Sequence, residues 1–347
     1  HEVVLRESFS PTVRPAYDIS PAVDLTSGQS IRRWIHDFLV GPFGQITMGL
    51  SYALAIVLPI VTVFFLVFSV LEDSGYFSRM SVMLNRVFRV IGLNGKAVLP
   101  MILGLGCTTM ATMTTRVLES RKERLVTTML LALAVPCSAQ LGVLLALMAA
   151  LSPGGALVWM GIMAGVILLV GWLTAKVFPG DGSDFILELP PMRKPQLGNV
   201  VTKTFSRFDW YLREVIPVFL VGTAVLFLLD AVGALARIAD AAEPLVVGWL
   251  GLPAEMANAL LVGFMRRDFG AVYVLDAATG AGAILSQHQI LVAMVTITLF
   301  MPCFATLLMI TKEHGRKTAL GMVAFIFPFA ILIGGLVNKL GLWLGTT

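Results

Sequence analysis

Three cysteines are the residues best suited to chemistry, and each follows a residue that breaks helices. The cysteines are Cys107, Cys137 and Cys303, and the breaking residues are Gly104, Gly106, Pro136 and Pro302. A proline lacks an N–H, so a carbonyl in the preceding turn loses its partner. Thiolates bind Fe(II), Cu(I) and Zn far better than Na, Mg or Ca. The pattern favours a transition-metal path, whereas the plainer interpretation is that the cysteines are small buried hydrophobic residues.

Two of these cysteines lie in stretches that repeat one order of residues about 160 positions apart. Each stretch has an acid and a glycine, a Gly-Leu pair, another glycine and a Pro-Cys pair. The marker residues are Glu72, Gly75, Gly92, Gly104 and Pro136, then Asp230, Gly233, Gly251, Gly263 and Pro302. Internal repeats of apolar segments interrupted by Gly and Pro are typical of transporters, whose site lies where the repeats meet.

Composition predicts that these repeats lie in a membrane. Hydrophobic residues make up 57% of the 347 residues and charged residues 13%, against about 25% charged in soluble domains. The clearest apolar runs are Ile46–Leu71, Leu125–Ala150, Ala156–Val177, Val215–Leu229, Gln289–Ile310 and Ala319–Leu344. Stretches 97–113 and 257–274 are interrupted by Gly, Cys or charge. We therefore predict an all-α, polytopic helical membrane protein with two internal repeats containing broken or re-entrant helices.

The pattern divides the chain into five parts. They are a polar N-terminal segment with a short interfacial helix (1–45), the first repeat and the following span (46–177), a basic cytoplasmic loop (178–210), the second repeat (211–310) and a C-terminal span (311–347). The polar start at His1 suggests a piece of a longer protein.

Loop charge predicts the orientation. Basic residues concentrate in segments 116–124, 176–213 and 312–317, whereas Leu151–Gly155 carries no charge. The basic segments are expected on the cytoplasmic side and Leu151–Gly155 outside. These loops explain the formal net charge of +4, and no basic surface interleaved with aromatic residues points to a nucleic-acid partner.

Acidic residues at the ends or breaks of apolar segments are the second set of candidates. Glu72 and Asp73 end one apolar run, and Asp268 follows Arg267 inside a broken segment. Ionisable groups at membrane depth are functional candidates by default, so these three carboxylates are candidate metal ligands. Alternatively, Glu72 and Asp73 lie in the interface as helix caps, and Arg267 and Asp268 neutralise each other.

Enzyme signatures are missing from the sequence. The Gly92–Ala97 segment lacks the spacing and hydroxyl of a phosphate loop, and neither a nucleophile elbow nor an HExxH motif is present. No catalytic residue is therefore assigned, and an enzyme is not expected.

The run Leu71–Leu125 closely resembles the first Gate region of the ferrous iron transport protein B (FeoB) family. Its LEDSGY, GL-x-GK, GxGC and TRxLES-x-x-ERL elements stand in the family's order. Pro136–Leu141 (PCSAQL) and Met301–Leu307 (MPCFATL) resemble the family's second and third cysteine motifs. The resemblance covers residues 41–344. The triplet 266–268 is Arg-Arg-Asp, where many members carry Ala-Lys-Glu.

The resemblance implies an Fe(II) importer of the bacterial inner membrane, with Fe(II) as substrate and no tightly bound cofactor. It implies that the three cysteines line the path and that the glycine and proline breaks, Gly263 included, form the gates. Expected partners are a GTP-binding domain covalently attached in the full-length protein and a small FeoA-like cytoplasmic protein. Homo-oligomer formation is left open.

Three alternatives remain at this point. The first is a transporter of an organic solute such as a nucleoside, with the cysteines as packing residues. The second is transport of another divalent transition metal, because ligand type alone allows Mn(II) or Zn(II) as well as Fe(II). The third is a membrane scaffold or receptor that senses metal and recruits a partner through the basic loop. Flux measurements separate these functions.

Overall fold

The computed structural model describes most of the chain and is helical wherever it is regular. It describes residues 36, 38–40, 45, 46, 50, 54, 58–177, 195–231, 233–265, 267–279, 284–300 and 302–343. The absence of strands from these residues confirms the all-α prediction. Most of the N-terminal segment 1–45, and the part of the basic loop before residue 195, lie outside the described residues.

The helices fall into two series that follow the two repeats. The first series is α1 (Leu58–Asp73), α2 (Tyr76–Val90), α3 (Val98–Gly106), α4 (Thr108–Thr114), α5 (Arg121–Leu133), α6 (Ser138–Ala150) and α7 (Pro153–Val177). The second series is α8 (Leu197–Ala231), α9 (Ala234–Gly248), α10 (Met256–Met265), α11 (Arg267–Thr279), α12 (Gln287–Leu299), α13 (Phe304–His314) and α14 (Arg316–Trp343).

Paired glycines fix the start and the end of the same helix in both repeats. Gly75 and Gly233 precede α2 and α9 at φ 76° and 68°, and Gly92 and Gly251 follow these helices at φ 73° and 67°. Left-handed backbone of this kind is readily adopted by glycine and strained for other residues. Both enclosed helices are 15 residues long. The sequence repeat is therefore a repeat of backbone conformation.

A second matched pair is formed by α5 and α12, each 13 residues long. The Ser120 side chain accepts a hydrogen bond from Glu123 N at the start of α5, and Ser286 accepts one from Gln289 N at the start of α12. Such caps satisfy N–H groups that have no partner within the helix. Each helix ends a few residues before its Pro-Cys pair.

The two repeats are inverted. Thr128, in α5, contacts His314 at the end of α13 through a 2.9 Å hydrogen bond. At the opposite end, Gln287 at the start of α12 accepts from Ser152 N (3.1 Å) and donates to Ala150 O (3.0 Å), beside the end of α6. The segment α5–α6 thus runs antiparallel to α12–α13. This fixes a repeat orientation that the sequence left open.

Several helices are long and apolar enough to cross a membrane. Within the described residues, these are α7, α14 and the segment Gln287–His314 that contains α12 and α13. Two bent pairs qualify when each is taken as one span: α1 with α2, bent by 82°, and α5 with α6, bent by 44°. These broken and continuous spans confirm a polytopic helical membrane protein.

The loop predicted at 178–210 is wrong in its last part, because α8 already begins at Leu197. The basic residues that suggested a loop lie on a helix face, where positions four apart are neighbours. Lys203 Nζ lies 3.5 Å from an Asp73 carboxylate oxygen, and Arg207 Nη2 lies 2.5 Å from Glu72 Oε2. Charge in this stretch therefore pairs α8 with the end of α1.

At the centre of the molecule, α11 packs against α10, α6 and α12. Gly263 of α10 and Gly270 of α11 face each other, and a Cβ on Gly270 would lie 2.7 Å from the Gly263 Cα. This close approach requires the absence of a side chain. It brings the start of α11 beside the first repeat.

Candidate functional site

All three cysteines lie where a helix restarts after a break. Cys107 separates α3 from α4 with extended backbone (φ −146°, ψ 114°). Cys137 (φ −77°, ψ 166°) and Cys303 (φ −60°, ψ 158°) immediately precede α6 and α13. The breaks coincide with Gly106, Pro136 and Pro302. Each cysteine thus adjoins backbone amides and carbonyls that regular helical hydrogen bonding leaves unpaired.

Two threonines join the first and the third cysteine motifs. Cys303 Sγ lies 3.2 Å from Thr306 Oγ1, which lies 3.1 Å from Thr109 Oγ1. Thr109 is two residues after Cys107. Because α4 belongs to the first repeat and α13 to the second, this chain of contacts crosses the repeat interface.

A serine connects the second break to the first. Ser138 Oγ, next to Cys137, donates to Gly106 O over 3.1 Å, immediately before Cys107. Cys303 also lies near Cys107 and Cys137. The structure therefore brings the three predicted thiols into one region between the repeats.

A buried arginine adjoins the same region. Arg267 is only 4% exposed. Its guanidinium donates to Val135 O over 3.1 Å and to Ala132 O. In a continuous helix Ala132 O would accept from residue 136, but Pro136 has no N–H to give. Arg267 thus satisfies a carbonyl that the proline leaves unpaired, and it lies near Cys137 and Cys303.

The Pro302–Cys303 break receives a neutral donor from the first repeat. Gln140, 0% exposed, donates from Nε2 to Ile297 O in the last turn of α12, over 3.2 Å. Its Oε1 and the Thr108 hydroxyl are buried without a hydrogen-bond partner in the described structure. Unpartnered buried polar atoms are rare and costly, so these two oxygens mark a polar site beside the thiols.

The predicted carboxylate ligands occupy two different environments. Asp268 is 8% exposed and lies near Cys137. Glu72 and Asp73 instead pair with Lys203 and Arg207 of α8. Among the described residues, no three His, Cys, Asp or Glu side chains are grouped as a metal site. The role of the three carboxylates as metal ligands stays a prediction.

A charged cavity of about 280 Å³ lies between the basic turns of the two repeats. Arg116 forms a two-pronged ion pair with Glu313, with N–O distances of 2.7 and 2.6 Å. The Glu313 carboxylate raises the pKa of Arg116 by accepting these bonds. The remaining lining residues are Thr115, Glu119, Arg121, Arg124 and His314. The basic turns predicted in segments 116–124 and 312–317 therefore meet on one face of the protein.

Comparison with known proteins places this arrangement in a family. The Gate family, described as "Nucleoside recognition", matches residues 54–151 and 212–317, more than half of the chain and the larger part of both repeats. The chain belongs to the Gate family. The intervening residues 156–207 match the C terminus of ferrous iron transport protein B.

Curated relatives of this Gate chain carry Fe(2+) transporter names. A Staphylococcus aureus (strain MSSA476) Fe(2+) transporter FeoB is 31% identical over 304 residues, covering 80% of this chain and 46% of the relative. A Methanocaldococcus jannaschii FeoB is 27% identical over 323 residues, covering 83% and 48%. A Porphyromonas gingivalis Fe(2+) transport protein A/FeoB fusion is 25% identical over 360 residues, covering 82% and 42%.

The chain spans about half the length of these relatives. No solved structure matches it.

Polar residues beside the cysteines, such as Thr109 and Gln140, are of the types that hydrogen-bond across membrane helices, and they bond to Thr306 and to the Ile297 carbonyl. Two features of the repeat interface had no signal of their own in the sequence. Thr306 lies within the third cysteine motif and bridges it to the first. Arg267 was interpreted as a partner for Asp268, and its contact with the carbonyls of α5 was missed. The missing N–H of Pro136 was the available signal, because it leaves the carbonyl of Ala132 in need of a donor.

Proposed function

We propose that this chain is the Fe(II)-conducting part of a ferrous iron transporter of the bacterial inner membrane. The observation that carries the proposal is the meeting of three cysteine-bearing helix breaks between two inverted repeats. Transporters of this architecture bind their substrate near the midplane, where broken helices supply backbone groups. The Fe(2+) transporter names of the relatives support Fe(II) as the cargo.

Fe(II) passes Cys107, Cys137 and Cys303 as a series of partial sites. A closed four-ligand cage would hold the ion, whereas conduction requires binding weak enough for release. An arriving cation favours the thiolate form of a nearby cysteine, so the cargo helps to generate its own ligand. Asp268 is a secondary ligand in this scheme. Glu72 and Asp73 act as exchangeable ligands at the end of the path nearest α8.

Control of the gates in this chain is assigned to parts outside it. A GTP-binding domain covalently attached in the full-length protein would drive opening, so GTP hydrolysis belongs to that domain. The relative in which Fe(2+) transport protein A is fused to FeoB supports a small FeoA-like partner. The basic turns around Arg116 and His314 face the cytoplasm in this arrangement, which follows the preference of basic loops for that side.

Anaerobic flux in proteoliposomes tests the proposal. The purified chain and the full-length protein are reconstituted side by side, and uptake of Fe(II), Mn(II), Zn(II) and a nucleoside is compared. Single Cys→Ser variants at 107, 137 and 303 are measured beside the triple variant. Thr311→Ser is the matched control, because its hydroxyl bonds to Leu307 O within α13 and the serine keeps that bond.

We expect Fe(II) flux in the wild type and in Thr311→Ser, and its loss in the triple cysteine variant. Fe(II) flux that survives in the triple variant would make the thiols packing residues and move the path elsewhere. Nucleoside flux without metal flux would favour the organic-solute alternative. Absence of any flux in the full-length protein, supplied with GTP, would remove the transport proposal altogether.

A further inference from the structure

The guanidinium of Arg267 occupies the position of a cation at the Pro136–Cys137 break. Its two nitrogen donors bind the carbonyls of Ala132 and Val135. The next two residues along the chain are Pro136 and Cys137. Carbonyl oxygens arranged in this way, with a thiol adjacent, are the donor types that bind metal cations in proteins.

The burial of this charge calls for a reason. Arg267 is 4% exposed in a helix that packs against α6, α10 and α12. At the Pro302–Cys303 break the neutral amide of Gln140 donates to a carbonyl, that of Ile297. A buried charge costs far more than a buried amide unless it is compensated. A neutral donor would bind a carbonyl at lower cost, so donation to the carbonyls does not by itself explain the charge of Arg267.

We propose that Ala132 O, Val135 O and Cys137 Sγ form a cation site, and that Arg267 fills it as a tethered cation when no ion is bound. Arg267 thereby satisfies the two carbonyls in the resting state and keeps other cations out. An entering divalent cation takes over the carbonyls and displaces the guanidinium. This inference rests on the proposed Fe(II) path and adds a site and a gatekeeper to it.

The positive charge of the guanidinium accounts for the exclusion of other cations. It lies near Cys137 and Cys303, so it repels a metal ion approaching them. A metal ion must therefore displace the arginine before it reaches the thiols. A glutamine in its place would bind the same carbonyls without excluding a cation.

Co(II) binding by the purified full chain tests the site directly and does not depend on transport. Co(II) bound to thiolate gives a sulfur-to-metal charge-transfer absorption band, which reports a cysteine ligand. Arg267→Gln should bind Co(II) at least ~10-fold more tightly than the wild type, because a buried positive charge beside the site is gone. Arg267→Lys, which keeps the charge, should bind as weakly as the wild type.

Two further variants locate the site. Cys137→Ser in the Arg267→Gln background should remove the band, whereas Cys107→Ser should leave it. Arg237→Gln is the matched control, because Arg237 is an exposed arginine on α9, and it should bind like the wild type. Equal Co(II) affinity in folded Arg267→Gln and wild type would overturn the inference, and so would a band that survives Cys137→Ser.

The unmodified protein provides a readout if the glutamine variant does not fold. At high Co(II) the metal should displace the guanidinium and produce the same band in the wild type, and Cys137→Ser should lose it. No band at any Co(II) concentration would overturn the site. Tighter Co(II) binding in Arg267→Gln together with no Fe(II) flux in the full-length wild type would leave the cation site standing and remove the transport function.

Discussion

Replacing Gly270 by alanine should force α10 and α11 apart. The new Cβ would lie 2.7 Å from the Gly263 Cα and 2.9 Å from Ala259 O, short of the 3.4 Å at which ordinary contact begins. Both obstructing atoms belong to backbone, so no side chain can turn away. Relief requires the two helices to separate by about 0.7 Å.

The matched control is Gly161→Ala in α7, where a Cβ would meet nothing within 4 Å. Both glycines lie inside helices, so alanine gains about 0.5–1 kcal/mol of helix stability at either position. Overpacking against backbone costs about 1–3 kcal/mol at Gly270 only. We therefore expect Gly270→Ala to be about 1–3 kcal/mol less stable than Gly161→Ala.

Thermal unfolding of the purified variants in one detergent measures this difference. Gly161→Ala should match or exceed the wild-type Tm, and Gly270→Ala should fall below both. The shift should also move Arg267, three residues earlier on α11, away from Ala132 O and so change Co(II) binding. A Gly270→Ala protein as stable as Gly161→Ala would refute the close packing on which the position of α11 depends.

Two other contacts give predictions of the same kind. Thr306→Val keeps the side-chain shape but removes the hydroxyl that bridges Cys303 and Thr109. It should lower the free energy of unfolding by about 1–3 kcal/mol and reduce Fe(II) flux. Unfolding and flux are compared with those of Thr311→Val, and equal flux in the two variants would contradict a bridging role. Asn94→Ala removes the donor that lies 3.2 Å from the buried Glu123 carboxylate and should cost about 1–3 kcal/mol. Chemical or thermal unfolding checks it against the exposed Asn199→Ala, and equal losses would contradict it.

Much of the architecture was predictable because the signals are local. Gly75, Gly92 and their counterparts in the second repeat mark left-handed turns whatever surrounds them, and Pro136 and Pro302 break a helix in any environment. Composition alone predicts membrane helices. Breaks, repeats and fold class were therefore accessible from the sequence.

The direction of the repeats was not accessible in this way. A pattern of glycines and prolines is the same whether a segment crosses the membrane upward or downward. The inversion became visible only through contacts between distant residues, such as Thr128 with His314. The start of α8 was missed for another reason: Lys203 and Arg207 suggested a loop by their charge, and their carboxylate partners lie more than 100 residues away.

The candidate site was predicted in part for the same reason. The three cysteines were identified from their breaks, because residue type and neighbouring glycine or proline are local features. Arg267 donates to a carbonyl 135 positions earlier in the chain. No local pattern specifies such a partner. The sequence therefore predicts an ion pair between Arg267 and the adjacent Asp268 and does not predict the bond from Arg267 to Ala132 O.

The two breaks are related by the inversion of the repeats, yet the donors that serve them differ in charge. The Pro136–Cys137 break of the first repeat receives the Arg267 guanidinium from the second repeat, and the Pro302–Cys303 break of the second repeat receives the Gln140 amide from the first. Each repeat therefore supplies a hydrogen-bond donor to the other, and neither break can open without removing that donor. Along the proposed path, an ion meets a fixed positive charge at one break and a neutral dipole at the other. The energy profile of that path is consequently asymmetric, although the backbone on its two sides is repeated.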